Sequence, residues 1–461
     1  MISSLKIALR TVLTRHPFFV LPFIFLLNSW ADVTSKTLLV RSFPLNEYER
    51  KLDWQACGIR VASDGNCYFA CSSHAPDHGC AFFRYNPRIS KLDLLCKDIT
   101  IVCGEDPERT PPQGKIRSDI VEANGWLYFG THLANYWREA EAAYTGGHIV
   151  GYELATGRFR DYGVIHRNYT IYSGIAVVPE RSILYVYVTP YPDGKDAHLY
   201  RVDLKLGAKE DLGVLHSYAH AYYLFVDQRG DCWFAPKGCG GTLFRARASD
   251  GKLDRWEDLL PPAYSWQNAE AKETDARRCI RWAQPLPERS ECIFTMETSQ
   301  GDSGDMLWVL NTGKKTKDSI RSLARIGPTG LGLARSRGRV YYVQHSYGKS
   351  VQKIAAKPIQ RILAKVVAKL IVLGQRPRLH LRSVRLDTCS VKDHGLIVDQ
   401  DGRKPLRVDS VATDGNGVVF IVGDWQLLPG EKGSLLYNYK RKGYDKLTTG
   451  QFFAIAQVGN D

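Results

Sequence analysis

Beyond residue 31 this 461-residue sequence holds no apolar run long enough to cross a bilayer without charged residues, which excludes a membrane span from its body. It lacks the nucleophile elbow of α/β hydrolases, the phosphate-cradling Walker loop and the two-histidine helix of metalloproteases. Paired-acid glycoside hydrolysis needs two carboxylates in one pocket, and no convincing pair of Asp or Glu stands out. A standard zinc finger is missing as well. The stretch "CYFACSSHAPDHGC" (67–80) offers Cys67, Cys71, His74, His78 and Cys80, but their spacing matches no standard finger. Bulk charge is nearly absent from the body. Of the net +14, Lys6, Arg10 and Arg15 supply three, and residues 353–385 supply nine Lys or Arg without one acid, which leaves the rest at +2. A body so close to neutral carries no polyanion footprint, and no nucleic-acid partner is expected.

The N-terminal segment has a different character. Three basic residues precede the apolar run "FFVLPFIFLL", and "NSWA" follows with Ser29 and Ala31 at the small-residue positions. That order predicts a signal peptide over 1–31 and a secreted or periplasmic protein; the alternative is an uncleaved anchor. Eleven cysteines fit an oxidising compartment, and the odd number leaves at least one unpaired within the chain. Cys71 with Cys80, and Cys232 with Cys239, flank tight connections and could staple hairpins.

The remainder, 32–461, repeats one phrase. An apolar strand ends at a Gly, Asn or Asp turn, a Tyr/Phe/Trp/Val-rich strand follows, then a variable loop, a third strand and a weaker fourth. "DIVEANGWLYFGT…HIVGYELATGRFRDYGVI" (119–165) shows it, and 174–215 and 222–259 repeat it. Period-two alternation in units of about 40–50 residues marks an all-β, seven-bladed β-propeller in a single domain. "TLLVRSF" (37–43) and "FFAIAQV" (452–458) are expected to form the two halves of the ring-sealing blade. Blade six is interrupted by a basic amphipathic helical insertion over 353–380: Ile359, Ile362, Leu363, Val366, Val367 and Leu370 recur at helical spacing opposite Arg361, Lys365 and Lys369. It reads as a helix packed on the ring, with membrane contact by 359–373 as the minor reading.

Strand order sorts the loops by face. Links from a fourth strand to the next blade emerge with the loops between second and third strands, and that face collects Lys115, Arg117, His132, His148, Tyr172, Tyr191, Tyr218 and His220. Of twelve histidines only His16, His380 and His394 fall clearly elsewhere. Such rings bind ligands over the central channel at one end. His and Tyr for proton transfer, with Arg or Lys for an anion, suit removal of a proton beside a carboxylate, as in β-elimination of a uronate polymer.

The stretch "KIRSDIVEANGWLYFGTH…YTGGHIVGYELATGRFRDYG" resembles the second-blade region of seven-bladed propeller polysaccharide lyases, the ulvan lyases and their relatives of secreted bacterial type. That resemblance implies a lyase acting on an anionic, uronic-acid-containing polysaccharide, with His132 and His148 in the active site. It also implies a catalytic Tyr and an anion-binding Arg, for which Tyr187 (alternatively Tyr191) and Arg201 are the nearest matches. Lys115, Arg117, Tyr172, Tyr191, Tyr218 and His220 are taken as substrate-binding. Related sequences often read "KIH" at 115–117, so Arg117 either alters substrate preference or ends activity. No cofactor is expected for catalysis, and a structural metal stays unassigned. A non-catalytic carbohydrate- or protein-binding propeller is the alternative function, and a hydrolase or lactonase with a central metal a third. The mature chain is predicted to start at Asp32; N-terminal sequencing of exported protein checks this, and a start near Met1 would indicate the anchor instead.

Overall fold

The computed structural model describes residues 36–54, 58–134, 142–172, 174–190, 196–215, 218–261, 278–297, 306–314, 316–327, 329–346 and 378–459. The expected signal segment and residues 353–377 of the expected helical insertion lie outside the described residues. Residues 378–380, assigned to that insertion, instead open the strand Arg378–Arg385.

The fold is all-β and propeller-like. Five sheets of four or five strands stand separately, each antiparallel, and a two-stranded hairpin of Leu435–Asn438 and Gly443–Lys446 lies apart from them. In chain order the second of the five consists of Val121–Ala123, Trp126–Gly130, His148–Glu153 and Phe159–Val164. Its first hairpin turns on Asn124 and Gly125, both at positive φ (52° and 78°), the type I′ turn whose twist matches two antiparallel strands. Alternation then gives the sheet two apolar faces. Leu127, Phe129, Val150 and Tyr152 pack with Tyr68 and Phe82 of the first sheet, whereas Tyr128, Ile149 and Tyr162 pack with Leu184 and Val186 of the third. The Phe82 and Phe129 rings meet at 4.9 Å. Each such side chain contributes about 1.5–3 kcal/mol when fully buried, a gain no sheet could realise on both faces alone.

The remaining main strands form one eight-stranded sheet, in which Thr329–Ser336, Arg339–Ser346, Arg378–Arg385 and Val391–Asp399 lead through Thr37–Pro44 to Thr449–Gln457, Val418–Gln426 and Pro405–Thr413. Seven separate sheets were expected. Five are found, because Thr37–Pro44 uses both of its edges, antiparallel to Thr449–Gln457 and parallel to Val391–Asp399. The two sealing segments do pair, from Val40 opposite Ala456 to Pro44 opposite Phe452. Among the described residues no disulfide joins Cys71 to Cys80 or Cys232 to Cys239, and no helix is long and apolar enough to cross a membrane.

The two end strands of the eight-stranded sheet, Thr329–Ser336 and Pro405–Thr413, crowd against each other. A Cβ on Gly332 would lie 2.4 Å from the Val411 backbone nitrogen and 2.6 Å from the Ser410 Cα. Neither backbone atom can swing aside, so Gly332→Ala should cost about 1–3 kcal/mol. Gly443→Ala, where the nearest atom is 4.0 Å away, should be close to neutral. Urea unfolding of both variants checks the contrast.

Candidate functional site

The two histidines that bracket residues 132–148 do not share a pocket. Gly130 pairs with Ile149, so Thr131 lies opposite His148, and the Thr131 N–H donates to the His148 carbonyl at 2.9 Å. Successive side chains leave a strand on opposite faces, so His148 goes with Thr131 and His132 with the other face. His148 Nδ1 sits 3.0 Å from both carboxylate oxygens of Asp161, and Nε2 lies 3.3 Å from Glu105. Burial opposes a charge there, but hydrogen bonds with Asp161, Cys103 and Glu105 outweigh it and push His148 up to about 11. An imidazole that these carboxylates keep protonated is a poor base at neutral pH.

His132 faces the axis. Its backbone pairs both ways with Lys115, at 3.0 and 2.9 Å, which fixes the link into the second sheet against the end of Trp126–Gly130. Its Nδ1 contacts the Thr170 hydroxyl. The His132 ring meets Tyr172 edge-on at 5.0 Å, Tyr172 stacks on His220 at 3.9 Å, and His220 meets Tyr222 at 4.4 Å. Cations lie on these rings: Arg117 over Tyr172 at 4.0 Å and Arg281 over Tyr222 at 3.6 Å. Across the mouth Arg407 covers Trp54 at 3.6 Å with Lys115 at 5.9 Å, and Trp54 meets His74 at 5.9 Å. Arg407 also pairs with Asp409 at 2.7 Å and Asp424 at 3.0 Å. Beneath lies a cavity of about 100 Å³, lined among others by Arg117, Asp119, Tyr222, Arg281, Gly332 and Asp409.

Electrostatics follow from this crowding. Burial, then the charges of Lys115 and Arg117, hold His132 well below the usual imidazole range. Burial with Arg117, Lys237 and Arg281 does the same to His220. Burial and Lys115 also lower His74, although Asp53, 2.8 Å from its Nδ1, works the other way. The mouth therefore presents neutral imidazoles beside fixed cations. Asp409 moves in the opposite sense: burial raises its carboxyl to about 7, with Arg407 opposing and Asp424 adding to the rise.

Of the residues expected from sequence, Lys115, Arg117, His132, Tyr172 and His220 come together here. Tyr187 does not: it is fully buried, its hydroxyl donates to the Ala219 carbonyl at 3.0 Å, and its ring packs on Phe234. Arg201 pairs with Glu210 on the neighbouring strand, at 2.8 Å through Nε, and reaches no group of the mouth. Tyr218 packs on Phe244 at 5.4 Å, and Tyr191 lies outside the described residues. The five candidate zinc ligands of 67–80 form no metal-holding group among the described residues, since His74 turns to Asp53 and His78 Nδ1 to the Gly79 carbonyl at 2.6 Å. Sequence reasoning missed Trp54, Arg281, Arg407, Asp409 and Asp424. A signal existed for two of them: Arg281 in "CIRWA" and Asp409 in "RVDSV" place charge inside the first strand of a repeat, where a core position would be apolar.

The Asp409 carboxyl gives a pH signature. Unfolded, it titrates near about 4, so between there and about 7 the folded chain holds the extra proton and its stability falls as pH rises. Asp409→Asn removes that fall. In urea unfolding the variant should gain on the parent between about pH 4.5 and about pH 7.5; a constant difference would contradict the assignment.

No protein-family model and no curated protein matches the chain. Solved structures are similar in fold. A fungal alcohol oxidase of the AA5 family, in complex with copper, is 12% identical at a TM-score of 0.50, covering 91% of this chain and 75% of that one. A chain of the mitotic checkpoint complex is 8% identical at 0.49, covering 92% and 93%. Oligogalacturonate lyase from Vibrio parahaemolyticus is 11% identical at 0.43, covering 91% and 97%. Identities of this size speak to the fold alone, and the propeller-like arrangement rests on the sheets of this chain itself.

Proposed function

We propose that the protein is an exported polysaccharide lyase that cleaves a uronic-acid-containing polymer by β-elimination at the mouth of a seven-bladed ring. In this reading the eight-stranded sheet counts as two blades joined edge to edge, where Thr37–Val40 runs parallel to Leu396–Asp399. The observation that carries the function is the gathering of Lys115, Arg117, Arg281 and Arg407 with the depressed imidazoles of His132 and His220 around one opening.

The chemistry follows from the charges. Burial is the larger cause of the His132 depression, and a uronate carboxylate placed among these cations offsets the second, the charges of Lys115 and Arg117, so anion binding raises the basicity of that imidazole. His132 then takes the proton α to the carboxylate while Arg117 and Lys115 stabilise the developing charge. The electron pair closes a carbon–carbon double bond, and the leaving glycosidic oxygen receives a proton from the Tyr172 hydroxyl, which supplies the new hydroxyl; the proton taken by His132 afterwards restores Tyr172. Arg117, stacked on Tyr172, stands where relatives of the resembled lyases often carry His, so its effect falls on the reacting end of the substrate.

Incubation with a panel of uronic-acid polysaccharides, followed by absorbance of the unsaturated product, tests this reading. One polymer is expected to be cleaved, His132→Ala to lose about a hundredfold or more in kcat, and Arg117→Ala to lose in both kcat and KM. Binding without cleavage would favour a non-catalytic carbohydrate-binding propeller, and full activity of His132→Ala on a confirmed substrate would contradict the assignment.

A further inference from the structure

The partners of His148 form a second polar centre that the lyase reading leaves unused. Cys103, His148 and Asp161 each present one donor atom, and the three atoms lie within 4.8 Å of one another. They come from different parts of the chain. Cys103 closes the short helix Ile99–Val102 in the link between the first two sheets, with its N–H donating to the Ile99 carbonyl at 3.1 Å. His148 begins the third strand of the second sheet, and Asp161 stands on the fourth, beside the register shift between His148 and Val150.

We propose that Cys103, His148 and Asp161 bind one zinc-class divalent ion, which pins this link to the second sheet. Thiolate, imidazole and carboxylate together suit zinc and not the hard, all-oxygen shells of calcium or magnesium. Zinc bonds of about 2.0–2.3 Å place neighbouring ligand atoms roughly 3–4 Å apart, so small side-chain adjustments bring the three donors onto one ion, with water in the fourth tetrahedral position. The outer surroundings fit too. Nδ1 faces Asp161, and Nε2 faces Glu105 at 3.3 Å, so with the ion on Nδ1 the opposite N–H donates to a carboxylate, the arrangement that orients metal-bound histidines. Glu105 is itself held by the Gln113 side-chain amide at 2.9 Å. Both cysteine and histidine are buried, while Asp161 keeps some exposure through which an ion could enter.

The test uses the full chain and needs no substrate, so its failure is separable from failure of the lyase reading. Protein loaded with zinc and freed of excess by gel filtration is measured by elemental analysis, and a cobalt(II)-loaded sample by near-ultraviolet absorbance. The expected result is about one zinc per chain and a thiolate-to-cobalt band that Cys103→Ser abolishes. Asp161→Asn, which keeps the side-chain shape, should weaken zinc retention at least tenfold with unchanged circular dichroism, and it decides the matter if Cys103→Ser fails to fold. No zinc retained by the parent, or retention unchanged in the variants that fold, would overturn the proposal.

Discussion

The side-chain alternation that gives each strand two apolar faces is the constraint from which the architecture follows. Phe129 leans toward the first sheet and Tyr128, the next residue back, toward the third, so the second sheet is stable only between neighbours. A row of such sheets has to close on itself or leave an apolar face in water. Closure here is made by Thr37–Pro44, the first described strand, which lies between the last described strand, Thr449–Gln457, and Val391–Asp399. Ser42 adds a buried hydrogen bond to Asp399 at 2.7 Å, and Arg403 reaches the same carboxylate at 2.6 Å.

The site is a consequence of that closure. Lys115 and Arg117, Tyr172, and His220 and Tyr222 all belong to links between sheets, whereas Arg281 and Asp409 sit on first strands. Residues far apart in sequence meet only because every link returns to the same opening. Crowding then sets their protonation: cations on aromatic faces leave the imidazoles neutral, and depth lifts the Asp409 carboxyl.

How much of this can be read from sequence depends on the range of the interaction. The repeat phrase placed the strands well, since turns such as Asn124–Gly125 and local alternation are written in adjacent residues. The histidine-rich face was legible as links and loops, and five of its expected residues meet at the mouth. The pairing of His132 with His148 was not legible, because it turns on a one-residue offset: Thr131, not His132, is opposite His148. Arg201 and Tyr187 failed for a related reason. Position in a strand named the blade but not the face, and one paired with Glu210 while the other went into the core. The joining of two sets of four strands into one sheet depends on an edge pairing between residues more than 350 positions apart, which no local pattern announces.

The most direct test of the account is a crystal structure of the chain with a short uronic-acid oligomer. The account predicts a sugar carboxylate between Arg117 and Lys115, with the carbon beside it facing His132 and the reducing or non-reducing neighbour lying over Tyr172 and His220. An oligomer seated instead at Arg201, or against the outer strands away from the axial opening, would contradict it.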